Sequence, residues 1–145
     1  MKWLARLFQP DSQTSAPNPQ DLHRAAAALL MEVARTDGKV DSREKSRLLE
    51  AIRGHWQLDE AEMENIVGEL RERVEAATDL YEFTRPLREN WDAETRIRLI
   101  YDMWELAAID GKADVYEEQL IRRVSDLLYV SHSDFIRAKL SASGG

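Results

Sequence analysis

The sequence predicts an all-α protein: a compact bundle of about seven helices, built from two helical repeats related by a pseudo-twofold. Three observations predict it. Apolar residues recur at steps of three and four, and they never alternate with polar ones for long, which favours helices over strands. Six glycines and four prolines are few for an all-β chain, which spends such residues on many turns. The stretch Asp37-Gly-Lys-Val-Asp41-Ser-Arg-Glu44 returns as Asp110-Gly-Lys-Ala-Asp114-Val-Tyr-Glu117, an offset of 73 residues (110 − 37).

Residues 1–8, Met-Lys-Trp-Leu-Ala-Arg-Leu-Phe, can form two amphipathic turns with Trp3, Leu4, Leu7 and Phe8 on one side. They are too short and too charged for a secretory signal. Gln9–Asn18 reads as a linker, since Pro10, Ser12, Thr14, Ser15 and Pro17 show no periodicity. The expected organisation is an amphipathic segment and linker over 1–19, a helical domain over 20–141 and a disordered tail over 142–145.

The first helix of the domain starts at Asn18-Pro19, with Asn18 as N-cap, Pro19 at the first helical position and Asp21 at the positive end. It is apolar almost all round from Leu22 to Ala34, which predicts a central helix. Asp37-Gly38 stops it. Asp41 caps a second helix, with Glu44 completing a capping box and Leu48, Leu49, Ile52 and Trp56 as its buried stripe. Asp59 caps a third, whose face is Met63, Ile66, Val67, Leu70 and Val74. Asp79 caps a fourth, with Leu80, Phe83, Leu87 and Trp91 inward, and Pro86 is expected to kink or divide it. Asp92 opens a fifth helix, again apolar on several faces from Ile97 to Ile109, and Asp110-Gly111 stops it. Asp114 and Glu117 form a second capping box on a sixth helix carrying Leu120, Ile121, Val124, Leu127 and Leu128. Ser131 caps a short last helix with Phe135, Ile136 and Leu140. The offset of 73 also pairs Glu32 with Glu105 and Ala34 with Ala107. With one residue deleted, Leu58 matches Val130 and Asp59 matches Ser131.

The chain has 145 residues, a formal net charge of −7 and no cysteine. A negative balance argues against a nucleic-acid binder, whose phosphate contacts need a basic face. Without cysteine there is no disulfide framework, zinc ribbon or thiol nucleophile. No stretch approaches the roughly 18 apolar residues of a spanning helix. A cytoplasmic location is expected, with a membrane-peripheral one as the option. His23, His55 and His132 lack metal-ligand or triad spacing, and no phosphate-binding loop is present, so the expectation is a protein without enzymatic activity.

Four acids recur in each half. Asp41, Glu44, Asp114 and Glu117 are explained as helix caps, each worth about 0.5–2 kcal/mol. Asp37 and Asp110 sit at the carboxyl ends of helices, where negative charge costs about 0.3–1 kcal/mol. Glu32 and Glu105 lie inside the two most apolar helices, and either they face outward, or they pair with an arginine such as Arg24 or Arg35, or they join the Asp residues as hard oxygen ligands for Ca²⁺, Mg²⁺ or Mn²⁺. The loops are not EF-hands, because Gly38 is the second residue of its loop rather than the sixth.

The paired Asp-Gly-x-x-x-x-x-Glu units resemble the TerB-like family of helical tellurite-resistance domains, in its uncharacterised bacterial branch. That family also resembles the amino-terminal domain of the membrane-anchored co-chaperone DjlA. Leu30-Met-Glu-Val-Ala-Arg-Thr-Asp-Gly38, Leu80-Tyr-Glu-Phe-Thr84, Trp104-Glu-Leu-Ala-Ala-Ile-Asp-Gly111 and Ile121-Arg-Arg-Val-Ser-Asp-Leu-Leu128 carry the likeness, which spans roughly residues 20–140. The resemblance implies an acidic surface that binds a divalent cation through Glu32, Asp37, Glu44, Glu105, Asp110 and Glu117. It also implies a stress-linked or tellurite-related role. The alternative is an adaptor or co-chaperone-like scaffold with structural acids, a protein partner near the membrane, and homodimerisation as an option. Lys39 and Lys112 depart from the family pattern by placing positive charge beside each glycine.

Overall fold

The computed structural model describes residues 19–36, 50, 53–54, 56–73, 80–108 and 115–142. The described residues form six helices and no strand: α1 (Pro19–Thr36), α2 (Glu60–Arg73), α3 (Leu80–Asn90), α4 (Ala93–Ala108), α5 (Val115–Leu127) and α6 (His132–Ala142). The all-α expectation holds. The helix expected after Asp41 lies almost wholly outside the described residues, which show only Glu50, Arg53 and Gly54 in helical conformation. The amphipathic segment and linker over 1–18, Asp79, and the cap positions Asp41, Glu44 and Asp114 also lie outside them.

Both apolar helices are central. On α1, Ala25 to Leu30 are buried without a break, and α1 packs against α2, α3, α4 and α5. On α4, Leu99, Ile100, Met103, Trp104, Leu106 and Ala107 are buried, and α4 packs against α1, α5 and α6. A helix apolar on several faces can satisfy them only by being surrounded. Trp56 and Leu58 from the turn before α2, Phe83 and Leu87 from α3, Ile121, Val124 and Leu128 from the α5 region and Phe135 from α6 complete one core.

The local signals stand where the sequence puts them. Asp59 Oδ1 accepts the Glu62 N–H at 2.8 Å, Asp92 Oδ1 accepts the Thr95 N–H at 2.8 Å, and Ser131 Oγ accepts the Asp134 N–H at 3.1 Å. These are N-caps of α2, α4 and α6. Pro86 lies inside α3, which runs undivided from Leu80 to Asn90, so of the two expectations the division does not hold. Proline fixes φ near the helical value and removes a single donor. The Pro86 carbonyl accepts Asn90 Nδ2 at 2.8 Å, and Phe83, Pro86 and Leu87 are all buried around that turn, so packing holds the helix through it.

Two helix ends share one geometry. Gln57 N–H donates to Gly54 O (3.2 Å) and Leu58 N–H to Arg53 O (3.1 Å), with Gln57 at φ 58°. Tyr129 N–H donates to Asp126 O (3.1 Å) and Val130 N–H to Ser125 O (3.0 Å), with Tyr129 at φ 60°. Each is a Schellman ending with its left-handed residue occupied by something other than glycine. Replacing Gln57 by glycine should therefore stabilise the fold by about 0.5–1 kcal/mol, since a left-handed backbone is strained for an L side chain. A urea midpoint that falls in Gln57→Gly would contradict this.

Candidate functional site

The six acids singled out from the sequence divide into two sets. Asp37, Glu44 and Asp110 lie outside the described residues. Glu32 is half-buried on α1, Glu105 half-buried on α4, and Glu117 is 2% exposed in the first turn of α5. The Tyr101 hydroxyl donates to the Glu105 carboxylate, and burial followed by the Glu105 charge pushes the Tyr101 hydroxyl above its ordinary pKa. Arg24, named as a partner for Glu32, instead bridges Asp21 (2.6 Å) and Glu62 (2.9 Å), tying α1 to α2. Among the described residues no group of three His, Asp or Glu side chains is placed to hold a metal ion. Glu32, Glu105 and Glu117 therefore do not form a cation site by themselves.

The strongest electrostatic feature was not singled out from the sequence. Asp102 lies on the core face of α4 and is fully buried. Its Oδ2 accepts the Trp56 indole N–H at 2.9 Å, and its Oδ1 accepts Arg98 Nε at 3.0 Å. Burial raises its carboxyl pKa to about 6, against the pull of Arg98 and the Trp56 bond and with a further push from Glu105. Trp56 stacks on Trp91 at 4.9 Å between centroids and meets the His23 ring edge-on at 5.6 Å. The carboxylate thus links the turn before α2 to α4, while the indole carries the contact on to α1 and to Trp91, the residue after α3. A signal was available: Asp102 sits among Leu99, Ile100, Met103 and Leu106, with Arg98 one turn earlier.

By contrast, Asp92 is an exposed cap whose carboxyl is held below its ordinary pKa, chiefly by the Thr95 hydroxyl and then the Thr95 N–H. One seam of charged side chains in the second half lies between α5 and α6. Lys139 pairs with Glu118 at 3.3 Å and lies over the Trp104 ring at 5.2 Å, and Arg122 lies over Phe135 at 4.9 Å. These cations cover apolar rings with their stems and charge.

A family model described as Tellurite resistance protein TerB matches residues 23–140. The chain belongs to the TerB family. The match covers α2 to α5 entirely, all but the first residues of α1, and α6 as far as Leu140. No curated protein and no solved structure matches the chain. TerB membership places it in a tellurite-resistance-related family, and the all-helical architecture agrees with the expected fold. No helix among the described residues of this TerB-family chain is long and apolar enough to cross a membrane.

Proposed function

We propose that this TerB-family chain is a non-enzymatic module that holds a divalent cation, Ca²⁺, Mg²⁺ or Mn²⁺, at its acidic Asp-Gly loops. Its setting is a bacterial stress or tellurite-resistance-related response in the cytoplasm. The observation that carries the reading is the acid-glycine pair that follows each central helix: Asp37-Gly38 directly after α1 and Asp110-Gly111 two residues after α4. A carboxylate at the negative end of a helix dipole is unfavourable unless positive charge offsets it. Asp37 and Asp110, at electrostatically unfavourable helix ends, would supply the main ligands, with Glu32, Glu44, Glu105 and Glu117 around them. Oxygen donors of this kind suit hard cations.

Calorimetric and NMR titration with Ca²⁺, Mg²⁺, Mn²⁺ and Zn²⁺ tests the reading. Saturable binding by a hard cation, lost in the Asp37→Asn/Asp110→Asn double variant without a fall in helicity, is the expected result. A flat response to all four ions overturns it.

A second reading is favoured by Glu105, whose carboxylate already serves Tyr101. Here the acids are structural or contact groups, and the chain is an adaptor or scaffold for a protein partner near the membrane. Removal of residues 1–8 or charge reversal at Asp37 and Asp110 should then abolish a captured partner. An unchanged set of partners counts against it.

A further inference from the structure

A groove of about 370 Å³ lies between α4 and α6. Each helix turns the same stripe toward it, from Glu94 to Tyr101 on one side and from Asp134 to Ser141 on the other. Its volume falls at the low end of the roughly 300–1,000 Å³ range of small-ligand sites. Ile97 and Ala138 give it apolar wall, and the Tyr101 ring adds a face over which Arg98 lies at 5.3 Å.

The charges in the groove are not equivalent. Glu94 stands in the first turn of α4, and Asp134 in the first turn of α6 accepts the Ser131 hydroxyl at 3.0 Å. Helix starts favour negative charge, so both acids have a local reason for their positions. The arginines have none of that kind. Arg98 stands in mid-helix, and its Nε is fixed from behind by the buried Asp102, which Trp56 fixes in turn. A guanidinium has five N–H donors, and that contact uses one of them. The side chain stays 44% exposed, so a held fork faces the solvent side. Arg137 is 78% exposed, and its nearest acid, Asp134, stands at 3.7 Å, beyond good hydrogen-bond range.

We propose that this groove binds a small organic carboxylate, with Arg98 as the fixed fork, Arg137 as the second cation and Ile97, Ala138 and the Tyr101 ring against the ligand's apolar body. Planar guanidinium and planar carboxylate match in a bidentate pair, and holding the fork in place beforehand lowers the ordering cost of binding. The apolar wall distinguishes an organic acid from an inorganic oxyanion. Asp102 is a positioning residue in this arrangement and does not touch the ligand.

Titration of the full chain with hexanoate, and separately with inorganic phosphate, tests the proposal through the arginine Nε–H signals in NMR. Hexanoate should give saturable shifts at Arg98 and Arg137. Its dissociation constant should rise about tenfold or more in Arg98→Gln, as expected for loss of a charge-assisted pair. Arg98→Lys should not restore it, and Asp102→Asn should weaken binding without abolishing it. Arg137→Gln, at an exposed position, keeps the test open if an Arg98 variant unfolds, and it too should weaken binding. Absence of saturable shifts, unchanged affinity in the folded arginine variants, or phosphate binding as tightly as hexanoate would each overturn the proposal.

Discussion

Trp56→Ala should lower the stability of the fold by about 3–5 kcal/mol, read as a fall in the urea midpoint. Three losses combine in it. The indole is 3% exposed, so its removal opens a large cavity between the turn and α4. Its stack on Trp91 disappears. Its N–H no longer serves Asp102, which leaves a buried carboxylate with one donor fewer. Trp56→Phe separates these effects. Phenylalanine keeps most of the ring packing and removes the donor, so the cost should fall to about 1–3 kcal/mol. The Asp102 carboxyl should then titrate at still higher pH, because the indole bond is one of the two contacts that favour its charged form. A loss below about 1 kcal/mol in Trp56→Ala would show that the turn does not depend on this anchor.

The second large effect is a pH dependence. Asp102 titrates at about 6 in the folded protein, against a reference value of 3.8. Between those values the unfolded chain releases the proton while the folded protein keeps it. The folded state therefore binds more protons, and stability falls as pH rises across the interval. The contribution is fully present below pH 4 and is lost as pH rises through about 6, a change of about 3 kcal/mol. Other carboxyls act in the opposite sense, Asp92 among them, because its pKa is lowered by its cap bonds. The comparison that isolates Asp102 is wild type against Asp102→Asn. The stability of the wild type relative to the variant should drop by about 3 kcal/mol between pH 4 and pH 7. Parallel curves for the two proteins would mean that Asp102 ionises as freely folded as unfolded.

The two effects meet at one place because Asp102 is held by residues distant in sequence and near in space. Trp56 lies 46 positions away, whereas Arg98 is the helical neighbour one turn earlier. Only the Arg98 contact could be read from spacing. An i, i+4 arginine–aspartate pair on a helix is ordinarily an exposed pair worth a few tenths of a kcal/mol. Here one partner is fully buried and the other 44% exposed, so the pair carries charge from the core to the surface.

Asp59, Asp92 and Ser131 are caps in the structure as in the sequence, because a cap is a bond between residues three apart and needs no knowledge of the rest of the fold. The central places of α1 and α4 were equally legible, since helices apolar on several faces have few other ways to be soluble. The family was legible through motifs at repeated spacing, and the TerB match bears it out. Of the candidate cation ligands, the sequence ranks Glu117 as a simple cap. Only packing shows it 2% exposed.

Three features were not decided by local sequence. Pro86 breaks helices in isolation, and its tolerance depends on the buried neighbours that hold α3 together. Gln57 and Tyr129 take left-handed conformations that glycine would be expected to fill, because the chain must turn there to bring Leu58 and Val130 onto the core. Asp102 is buried because α4 is surrounded, and its partner comes from a different element. Helix type, ends and caps follow from forces acting over three or four residues, so the order of residues alone decides them. The buried acid, the fixed guanidinium and the groove beside it follow from which faces meet, and that is settled only when the whole core closes.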